Sequence, residues 1–190
     1  MGEIRFLSLM PDEEAHWLRC RLTHVHLHVQ KYRPASFKAL SYCWGREDPE
    51  YPIVIFHESK CEEPMHGRRL SISENLYQAL KQLRSESEDV VIWADQVCIN
   101  QNDDDEKTSQ VMVMRDVYQT ASSTLIWLGP AADNSDEALS LIPKLLPAPY
   151  YQVWYDLFTV LKRDWFYRVW ITQEVAVSPH ATVLCGDMEF

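Results

Sequence analysis

The hydrophobic pattern at the start of the chain has a period of two residues. Between residues 17 and 29, three apolar side chains alternate with three histidines: Val25, Leu27 and Val29 against His24, His26 and His28. This alternation is typical of a strand with one buried face. Residues 4–10 are also strand-like, and the Pro-Asp-Glu-Glu sequence that starts at Pro11 has the composition of a turn. The pattern therefore predicts an N-terminal β-hairpin.

Later strands are predicted by short, continuous apolar runs, which are typical of strands covered on both faces. Residues 37–45, 90–94 and 124–130 are the three central runs. Residues 53–56 and 181–185 predict two further strands, of which the first is an insertion after the first central strand.

Helices are predicted by apolar side chains at helical spacing. Ser73 can cap a helix that runs to about Arg84, and the carboxylates of Asp103–Glu106 suit the start of the next helix. The side chains expected to face the core are Leu76, Leu80 and Leu83 on the first helix, Val111, Met114, Val117 and Tyr118 on the second, and Leu139, Ile142 and Leu145 on a third. Residues 151–177 predict a mainly helical segment, and residues 58–69 predict a polar, irregular surface insertion.

Strand and helix alternate after residue 37, which predicts an α/β fold with a mostly parallel sheet flanked by helices. The 190 residues suit one domain, with N-terminal strands in residues 1–36 and the α/β core in residues 37–190. The chain stops close behind a strand-like segment, so it is consistent with a piece excised from a longer protein.

Composition argues against several classes of protein. The formal net charge is −10 and no cluster of Lys and Arg is present, which argues against a nucleic-acid binder. The start of the chain lacks the apolar core of a signal peptide, and the apolar runs are too short to span a membrane. The five cysteines form an odd set without a C-x-x-C pair, which indicates reduced thiols and a cytoplasmic protein.

Three features suggest metal or nucleophile chemistry, but each has a simpler interpretation. The alternating histidines could serve a zinc site, although a solvated strand face is the preferred interpretation. Asp103–Glu106 are not followed by the Gly and the closing Glu of a calcium loop, so helix capping explains them better. Cys98 has no His near it in sequence, which favours a buried small residue over a nucleophile. We therefore predict no metal site.

Four ordered segments carry a family resemblance: Ala39–Gly45, Ile92–Gln101, Gln110–Gly129 and Arg163–Glu174. Through them the chain resembles the heterokaryon incompatibility domain family. Such domains occur in fungal proteins that detect non-self and trigger the death of fused cells, so the resemblance implies a cell-death effector. One departure is Lys107 after Glu106, where Arg is typical, because Lys lacks the guanidinium fork.

The family is distantly similar to Toll/interleukin-receptor-type domains, which implies a flavodoxin-like sheet. Some members of the wider group cleave NAD at the nicotinamide–ribose bond with one Glu, which often stands four residues after a Trp on a helix. Trp170 and Glu174 have this spacing, and Ser41-Tyr42 resembles the pair that often ends the first strand there. The resemblance therefore implies Glu174 as the catalytic residue and NAD as a substrate, with no separate cofactor.

The substrate-binding candidates follow from the chemistry and from the edge of the sheet. Breaking a glycosidic bond needs a carboxylate near the ribose and a dry aromatic slot, and ligands of open parallel sheets gather at the carboxyl ends of the strands. The candidates there are Ser41, Tyr42, Trp44, Gly45, Arg46, Asp95, Asn100, Gln101, Arg168 and Trp170. Structural alternatives remain open: Glu174 pairs with Arg168, Asp95 and Asn100 organise a turn, and Trp93, Trp127, Trp165 and Trp170 are core residues.

Two function classes remain open. In the first, the domain hydrolyses NAD once a partner or a C-terminal regulatory region brings copies together. In the second, the domain is a non-enzymatic signalling scaffold that acts through homotypic contacts. Self-association and an upstream non-self recognition partner are expected in both classes. A third and weaker alternative is a metal-dependent hydrolase that uses the histidine face.

Overall fold

The apolar runs of the sequence form the strands of one sheet in the computed structural model, which describes residues 3–11, 17–27, 36–45, 50–57, 67–140 and 151–190. The strands are β1 (Glu3–Leu9), β2 (Arg19–His26), β3 (Lys38–Tyr42), β4 (Tyr51–His57), β5 (Arg68–Ile72), β6 (Val90–Trp93), β7 (Ser123–Trp127), β8 (Ala181–Cys185) and β9 (Met188–Glu189). The helices are α1 (Glu74–Leu83), α2 (Asp95–Cys98), α3 (Asp104–Thr120), α4 (Ser135–Ser140), α5 (Tyr151–Leu161) and α6 (Ile171–Ala176), with a 3₁₀ helix at Asp164–Tyr167.

The sheet is mixed, with a run of parallel strands that begins at its centre. Over the described ranges the strand order is β5-β4-β2-β1-β6-β3-β7-β8-β9. Strand β3 pairs in parallel with β6 and β7, and β7 pairs in parallel with β8. Strands β1 and β9 extend this core in the antiparallel direction on its two sides. The predicted α/β class is confirmed, but the sheet is mixed rather than mostly parallel.

The predicted hairpin and the predicted β-insertion lie side by side in the sheet. Strands β1 and β2 pair antiparallel from Glu3 opposite His26 to Leu9 opposite Cys20. Strands β4 and β5 form a second antiparallel pair, and β4 joins β2 in parallel. The segments before and just after the first central strand therefore widen the sheet on the side away from β7.

Helices cover both faces of the central strands. Ser41 and Ile126 are register partners on β3 and β7, so they share one face, and Trp127 points to the other. On the Trp127 face, the indole Nε1 donates a hydrogen bond to Asn75 Oδ1 beside the start of α1 at 2.8 Å. On the Ser41 face, Ile126 packs in one cluster with Val160 of α5. Because both faces of the central strands are buried, the sequences of these strands are continuous apolar runs.

The predicted helix starts at Ser73 and Asp103 are confirmed by their capping hydrogen bonds. The Oγ of Ser73 accepts from the backbone N–H of Leu76 at 3.3 Å. The Oδ1 of Asp103 accepts from the backbone N–H groups of Asp105 and Glu106 at 3.1 and 3.0 Å. Both side chains satisfy backbone donors that a helix leaves without an internal partner.

Several details of the predicted elements are wrong. Val111 is 40% exposed. The predicted core-facing side chains of α3 that are buried, Val117 and Tyr118, lie in the last turns of the helix. The insertion is not irregular up to residue 69, since β5 begins at Arg68. Four of the five side chains of β5 are exposed, so this strand lacks an apolar pattern. By contrast, the prediction that residues 151–177 are mainly helical is confirmed, since they form α5, the 3₁₀ helix and α6.

The cysteines and histidines show no sign of metal or nucleophile chemistry within the described ranges. Burial raises the pKa of the Cys98 thiol to about 12, which suits a buried small residue and not a nucleophile. His24 and His26 are exposed on β2, as a solvated face requires. The described ranges hold no group of three or more His, Cys, Asp or Glu side chains that could bind a metal ion.

Some predicted positions fall outside the described residues: His28, Val29, residues 58–66 with Cys61, Ile142 and Leu145. Leu139 lies within them and is buried, as its spacing predicts. In the part of the chain that the structure covers, no helix has both the length and the apolar character needed to cross a membrane.

The cap at Ser73 gives a test of the fold. Replacing Ser73 with Ala removes the acceptor for Leu76 N–H and a hydrogen bond from Ser73 Oγ to Gln96 Oε1. We expect the free energy of unfolding in urea to fall by about 1 kcal/mol. The matched control is Ser140→Ala on the exposed end of α4, which should change it by less than about 0.5 kcal/mol. Equal effects of the two substitutions would contradict the capping role.

Candidate functional site

A buried ion pair lies at the carboxyl end of β3. The side chain of Glu174 is 1% exposed and is held by a bidentate pair with Arg168. Arg168 Nη2 donates to Glu174 Oε1 at 2.8 Å, and Nη1 donates to Oε2 at 3.0 Å. The hydroxyl of Ser41 donates a short hydrogen bond to the same Oε2. Three donors therefore occupy the carboxylate and join α6 to the end of β3.

Trp165 completes this group from the 3₁₀ helix. Its indole Nε1 donates to Ser41 Oγ at 2.8 Å, and Arg168 Nη1 also donates to this oxygen at 3.2 Å. Ser41 thus accepts from two donors while it donates to Glu174. We call Ser41, Trp165, Arg168 and Glu174 the carboxylate network.

The charges of the network act on each other through a buried region. Burial opposes the positive charge of Arg168, but the neighbouring Glu174 carboxylate outweighs this effect and raises the pKa of the guanidinium above its usual value. Burial, with smaller contributions from Glu174 and Asp95, raises the pKa of Tyr118 well above its usual value. Its hydroxyl donates to the backbone carbonyl of Leu40 at 3.2 Å. Tyr118 therefore stays neutral between two carboxylates.

A second carboxylate, Asp95, lies beyond the end of β6. Trp44 Nε1 donates to both of its side-chain oxygens at 3.0 Å, and the backbone N–H of Gln96 donates to Oδ1 at 2.8 Å. The Tyr42 hydroxyl is buried near this carboxylate, although it makes no hydrogen bond of normal geometry within the described residues. Burial raises the pKa of Asp95 above its usual value, although its hydrogen bonds oppose that shift.

Local sequence explains why Asp95 points into this edge. The chain leaves β6 at Trp93 and turns at once into the short helix α2, whose first residue is Asp95. Gln101 Nε2 then donates to the backbone carbonyl of Asp95 at 2.9 Å and closes the turn. Asn100 Oδ1 accepts from the backbone N–H of Asn102 at 3.2 Å, so Asp95 and Asn100 both take part in this turn, as one predicted alternative has it. Gln101 was not predicted in this role. The Asp95 side chain also reaches Trp44.

A cleft of about 540 Å³ opens at the same edge of the sheet. We call it the strand-end cleft. Its walls include Trp44, Gly45, Glu74, Asn75, Pro130 and Asp164. Trp44 is 37% exposed, and Gly45 has a φ of +86° with no heavy atom of the described residues, its chain neighbours apart, within 4 Å of the position a Cβ would take. The indole is therefore partly open to the cleft.

A smaller cavity of about 300 Å³ adjoins the strand-end cleft and reaches the carboxylate network. The two share Gly45, Asn75, Pro130 and Asp164, and Trp165 lines the smaller one. Arg163 also lines it, and its Nη1 donates to the backbone carbonyls of Leu128 and Pro130 at 2.9 and 3.1 Å. Trp165 is therefore the side chain that stands between the open space and Ser41.

The structure separates the sequence-predicted candidates into groups. Ser41, Arg168 and Glu174 are joined in the network, and Tyr42, Trp44 and Asp95 lie together beside it. Gly45 lines the strand-end cleft, whereas Asn100 and Gln101 line another cavity of about 370 Å³, which shares Trp44 with the cleft. Arg46 lies outside the described residues.

The predicted tryptophans divide between the core and the surface. Trp93, Trp127 and Trp165 are buried, so the core interpretation is confirmed for them. Trp170 is 49% exposed just before α6, so that interpretation is wrong for this residue. Trp170 is the last residue before α6, and the packing of that helix leaves its side chain partly uncovered.

Sequence reasoning missed Asn75 and Asp164. Asn75 Nδ2 donates to the carbonyl of Cys43 at 2.7 Å while its Oδ1 accepts from Trp127, so one amide fixes the loop after β3 against β7. For Asn75, the only signal in the sequence was its position in the first turn of α1, the helix that follows the β4–β5 pair. Asp164 belongs to the last family-like segment, but nothing in its spacing predicts that it lines a cleft.

Comparison with known proteins gives one family and one relative. The family model described as "Heterokaryon incompatibility protein (HET)" matches residues 37–174. The chain is 30% identical over 197 aligned residues to "Heterokaryon incompatibility protein 6, OR allele" of Neurospora crassa. The alignment covers 80% of this chain and 29% of that relative, so the chain spans under a third of the relative's length. No solved structure gives a significant match.

The raised pKa of Asp95 predicts a pH dependence of stability. In the unfolded state the pKa of the Asp95 carboxyl group is about 3.9. The folded state keeps the proton on this group to a higher pH than the unfolded state does. The contribution of Asp95 to stability is therefore complete below about pH 3.9 and is lost as pH rises through the folded pKa. Relative to wild type, Asp95→Asn should become more stable over that window, by up to about 1.4 kcal/mol per pH unit.

Urea unfolding of both proteins at a series of pH values above about 3.9 measures this difference. Asp105→Asn, at the exposed start of α3, is the matched control and should track wild type. Parallel curves for wild type and Asp95→Asn would show that burial does not hold the proton on Asp95.

Proposed function

Because the chain belongs to the heterokaryon incompatibility family, we propose that it is a cell-death effector domain of fungal non-self recognition. The family model covers residues 37–174, which include the strands β3, β6 and β7, the strand-end cleft and the carboxylate network. We propose that the regulatory parts that connect recognition to this domain lie elsewhere in a longer protein. This agrees with the alignment, which covers only 29% of the relative's length.

We also propose that the parallel core is flavodoxin-like and related to Toll/interleukin-receptor-type domains. In chain order the parallel strands are β3, β6, β7 and β8, and in space they run β6-β3-β7-β8. This is the order 2-1-3-4, which begins the flavodoxin-like arrangement. In such sheets, ligands bind at the carboxyl ends of the strands where the order reverses. The network and the cleft both lie at that edge.

The proposed reaction is hydrolysis of NAD at the nicotinamide–ribose bond. The bond between C1′ and the ring nitrogen breaks, and its electron pair moves to the cationic ring, which leaves as neutral nicotinamide. Water adds to C1′ and loses a proton, so the products are nicotinamide, ADP-ribose and one proton. The protein has to stabilise positive charge on the ribose, which a nearby carboxylate does.

The observation that carries this proposal is the position of Glu174 at the carboxyl end of β3, next to Ser41 and behind Trp165. A dry wall of aromatic rings and a buried carboxylate meet the needs of an oxocarbenium-like transition state. Trp165 also lines the cavity that opens into the strand-end cleft. A ribose that displaced Arg168 from Glu174 would reach the carboxylate from that side.

The same contacts explain why activity would depend on activation. Both oxygens of Glu174 are engaged by Arg168 and Ser41, so the carboxylate is not free in this conformation. Arg168 stands between Tyr167 and Val169, whose side chains are exposed. A contact between copies at this loop could shift Arg168 and release Glu174, which agrees with the expected activation by clustering.

The second candidate is a non-enzymatic scaffold that acts through homotypic contacts. It is favoured by the exposed apolar side chains of α5 and the loop before α6: Trp154, Tyr155, Phe158, Leu161, Tyr167, Val169 and Trp170. Large exposed apolar patches are typical of interaction surfaces. In this candidate the Arg168–Glu174 pair only supports the shape of the surface.

Nicotinamide release from NAD separates the two candidates. The purified chain, fused to an oligomerising tag to bring copies together, should release nicotinamide, and Glu174→Gln should reduce the rate by about 100-fold or more. Gln keeps the size of the side chain and part of its hydrogen bonding, so the variant should stay folded. Glu86→Gln, in the exposed turn before β6, is the matched control and should keep the wild-type rate.

Two results would overturn the proposed reaction. One is a clustered wild-type protein that releases no nicotinamide, which would favour the scaffold. The other is a Glu174→Gln variant with the wild-type rate, which would assign any hydrolysis to other groups. Circular dichroism of each variant confirms that the compared proteins are folded.

A further inference from the structure

The strand-end cleft carries an electrostatic signature that sequence reasoning did not foresee. Glu74 and Asp164 both line it, one in the first turn of α1 and the other at the start of the 3₁₀ helix. Both are exposed, and no hydrogen bond or ion pair joins either side chain to another described residue. Within the described residues, the lining holds two carboxylates and no cationic side chain.

The described cations near the cleft are already engaged. Arg163 lines the adjoining cavity but donates to the carbonyl oxygens of Leu128 and Pro130. Arg168 is neutralised by its bidentate pair with Glu174. An anionic ligand such as a phosphate would therefore meet two free carboxylates and no available described cation. A ligand with a positive charge fits this cleft better than a neutral or a negative one.

The described lining of the cleft includes one aromatic side chain, that of Trp44. Trp44 lines the strand-end cleft and also lines the cavity that contains Asn100 and Gln101. Its ring nitrogen is tied to both oxygens of Asp95, so the edge of the indole is fixed and the ring surface is what remains for a ligand. The face of a Trp ring is the strongest side-chain partner for a cation in a cation–π contact.

From these observations we propose that the strand-end cleft binds an aromatic cation, the pyridinium end of an oxidised nicotinamide dinucleotide, against Trp44 and between Glu74 and Asp164. The identity of the ligand rests on the proposed function, whereas the preference for a cation rests on the cleft alone. The pyrophosphate then lies outside this acidic part of the edge.

A purely structural role for both carboxylates is the alternative to the cation site. A negative charge in the first turn of a helix stabilises its N-terminus, so Glu74 and Asp164 could serve α1 and the 3₁₀ helix alone. That role predicts lower stability when either is neutralised, with no change in ligand preference. The cation site predicts a change in ligand preference even in a variant that stays folded.

Three ligands of nearly equal shape test the charge preference: 1-methylnicotinamide is a cation, nicotinamide is neutral, and nicotinate is an anion. Each is titrated into the full chain while the indole ¹H–¹⁵N signal of Trp44, assigned with Trp44→Phe, is followed by NMR. We expect the Kd of 1-methylnicotinamide to be roughly three- to tenfold lower than that of nicotinamide, with nicotinate weakest. The preference should shrink as salt is raised.

The double variant Glu74→Gln, Asp164→Asn should bind 1-methylnicotinamide and nicotinamide with nearly equal Kd. Glu86→Gln, which removes one negative charge from the exposed turn after α1, should keep the wild-type preference. The proposal is wrong if the cation binds no better than nicotinamide to wild type, if none of the ligands shifts the Trp44 signal, or if the double variant keeps the full preference.

These outcomes are independent of the proposed reaction. Nicotinamide release without a cation preference at Trp44 would place the substrate elsewhere and leave the hydrolysis standing. A cation preference in a protein that releases no nicotinamide would keep the site and remove the reaction.

Discussion

The buried pair between Arg168 and Glu174 is the interaction on which the arrangement of the strand ends depends. A carboxylate that is 1% exposed has lost its hydration, so it needs charged and hydrogen-bonding partners in fixed places. Arg168 supplies the charge from the loop before α6, and Ser41 supplies a hydroxyl from β3. The pair therefore sets where α6 sits against the sheet, and Trp165 closes the group from the 3₁₀ helix.

This constraint links the surface of the domain to its interior. Tyr167, Val169 and Trp170 are exposed, while Arg168 in the same loop points inward to Glu174. Any contact that moves this loop acts on the position of the guanidinium. A carboxylate that holds α6 in place cannot at the same time contact a substrate with both oxygens. The two leading functions therefore differ in one physical event, which is whether Arg168 leaves Glu174.

Much of the fold could be predicted because its central strands are buried on both faces. The runs that became β3, β6 and β7 are continuous and apolar, and the caps at Ser73 and Asp103 have the side chains that helix starts require. Strand β5 could not be predicted in the same way, because its outward side chains at the sheet edge carry no apolar alternation. The direction of each strand pairing also depends on long-range contacts that local pattern does not encode.

The candidate site was predictable in part for a similar reason. Residues at or just beyond the end of a central strand, such as Ser41, Trp44 and Asp95, come to one edge because parallel strands end together. The partners of these residues come from distant segments, so their pairing was not predictable from spacing. The pairing of Glu174 with Arg168 was one of the predicted alternatives and is confirmed, but only the fold shows that both also contact Ser41. Asp164 and Glu74 line one cleft that exists only after folding.

A double-mutant cycle on Arg168 and Glu174 tests this account most directly. The free energy of unfolding in urea is measured for wild type, Arg168→Ala, Glu174→Ala and the double variant. If the pair is the buried constraint described above, each single substitution leaves an unpaired charge, and the double variant is less destabilised than the sum of the two by roughly 1 to 3 kcal/mol. Effects that add within about 0.5 kcal/mol would show that the two side chains are not coupled and would contradict the account.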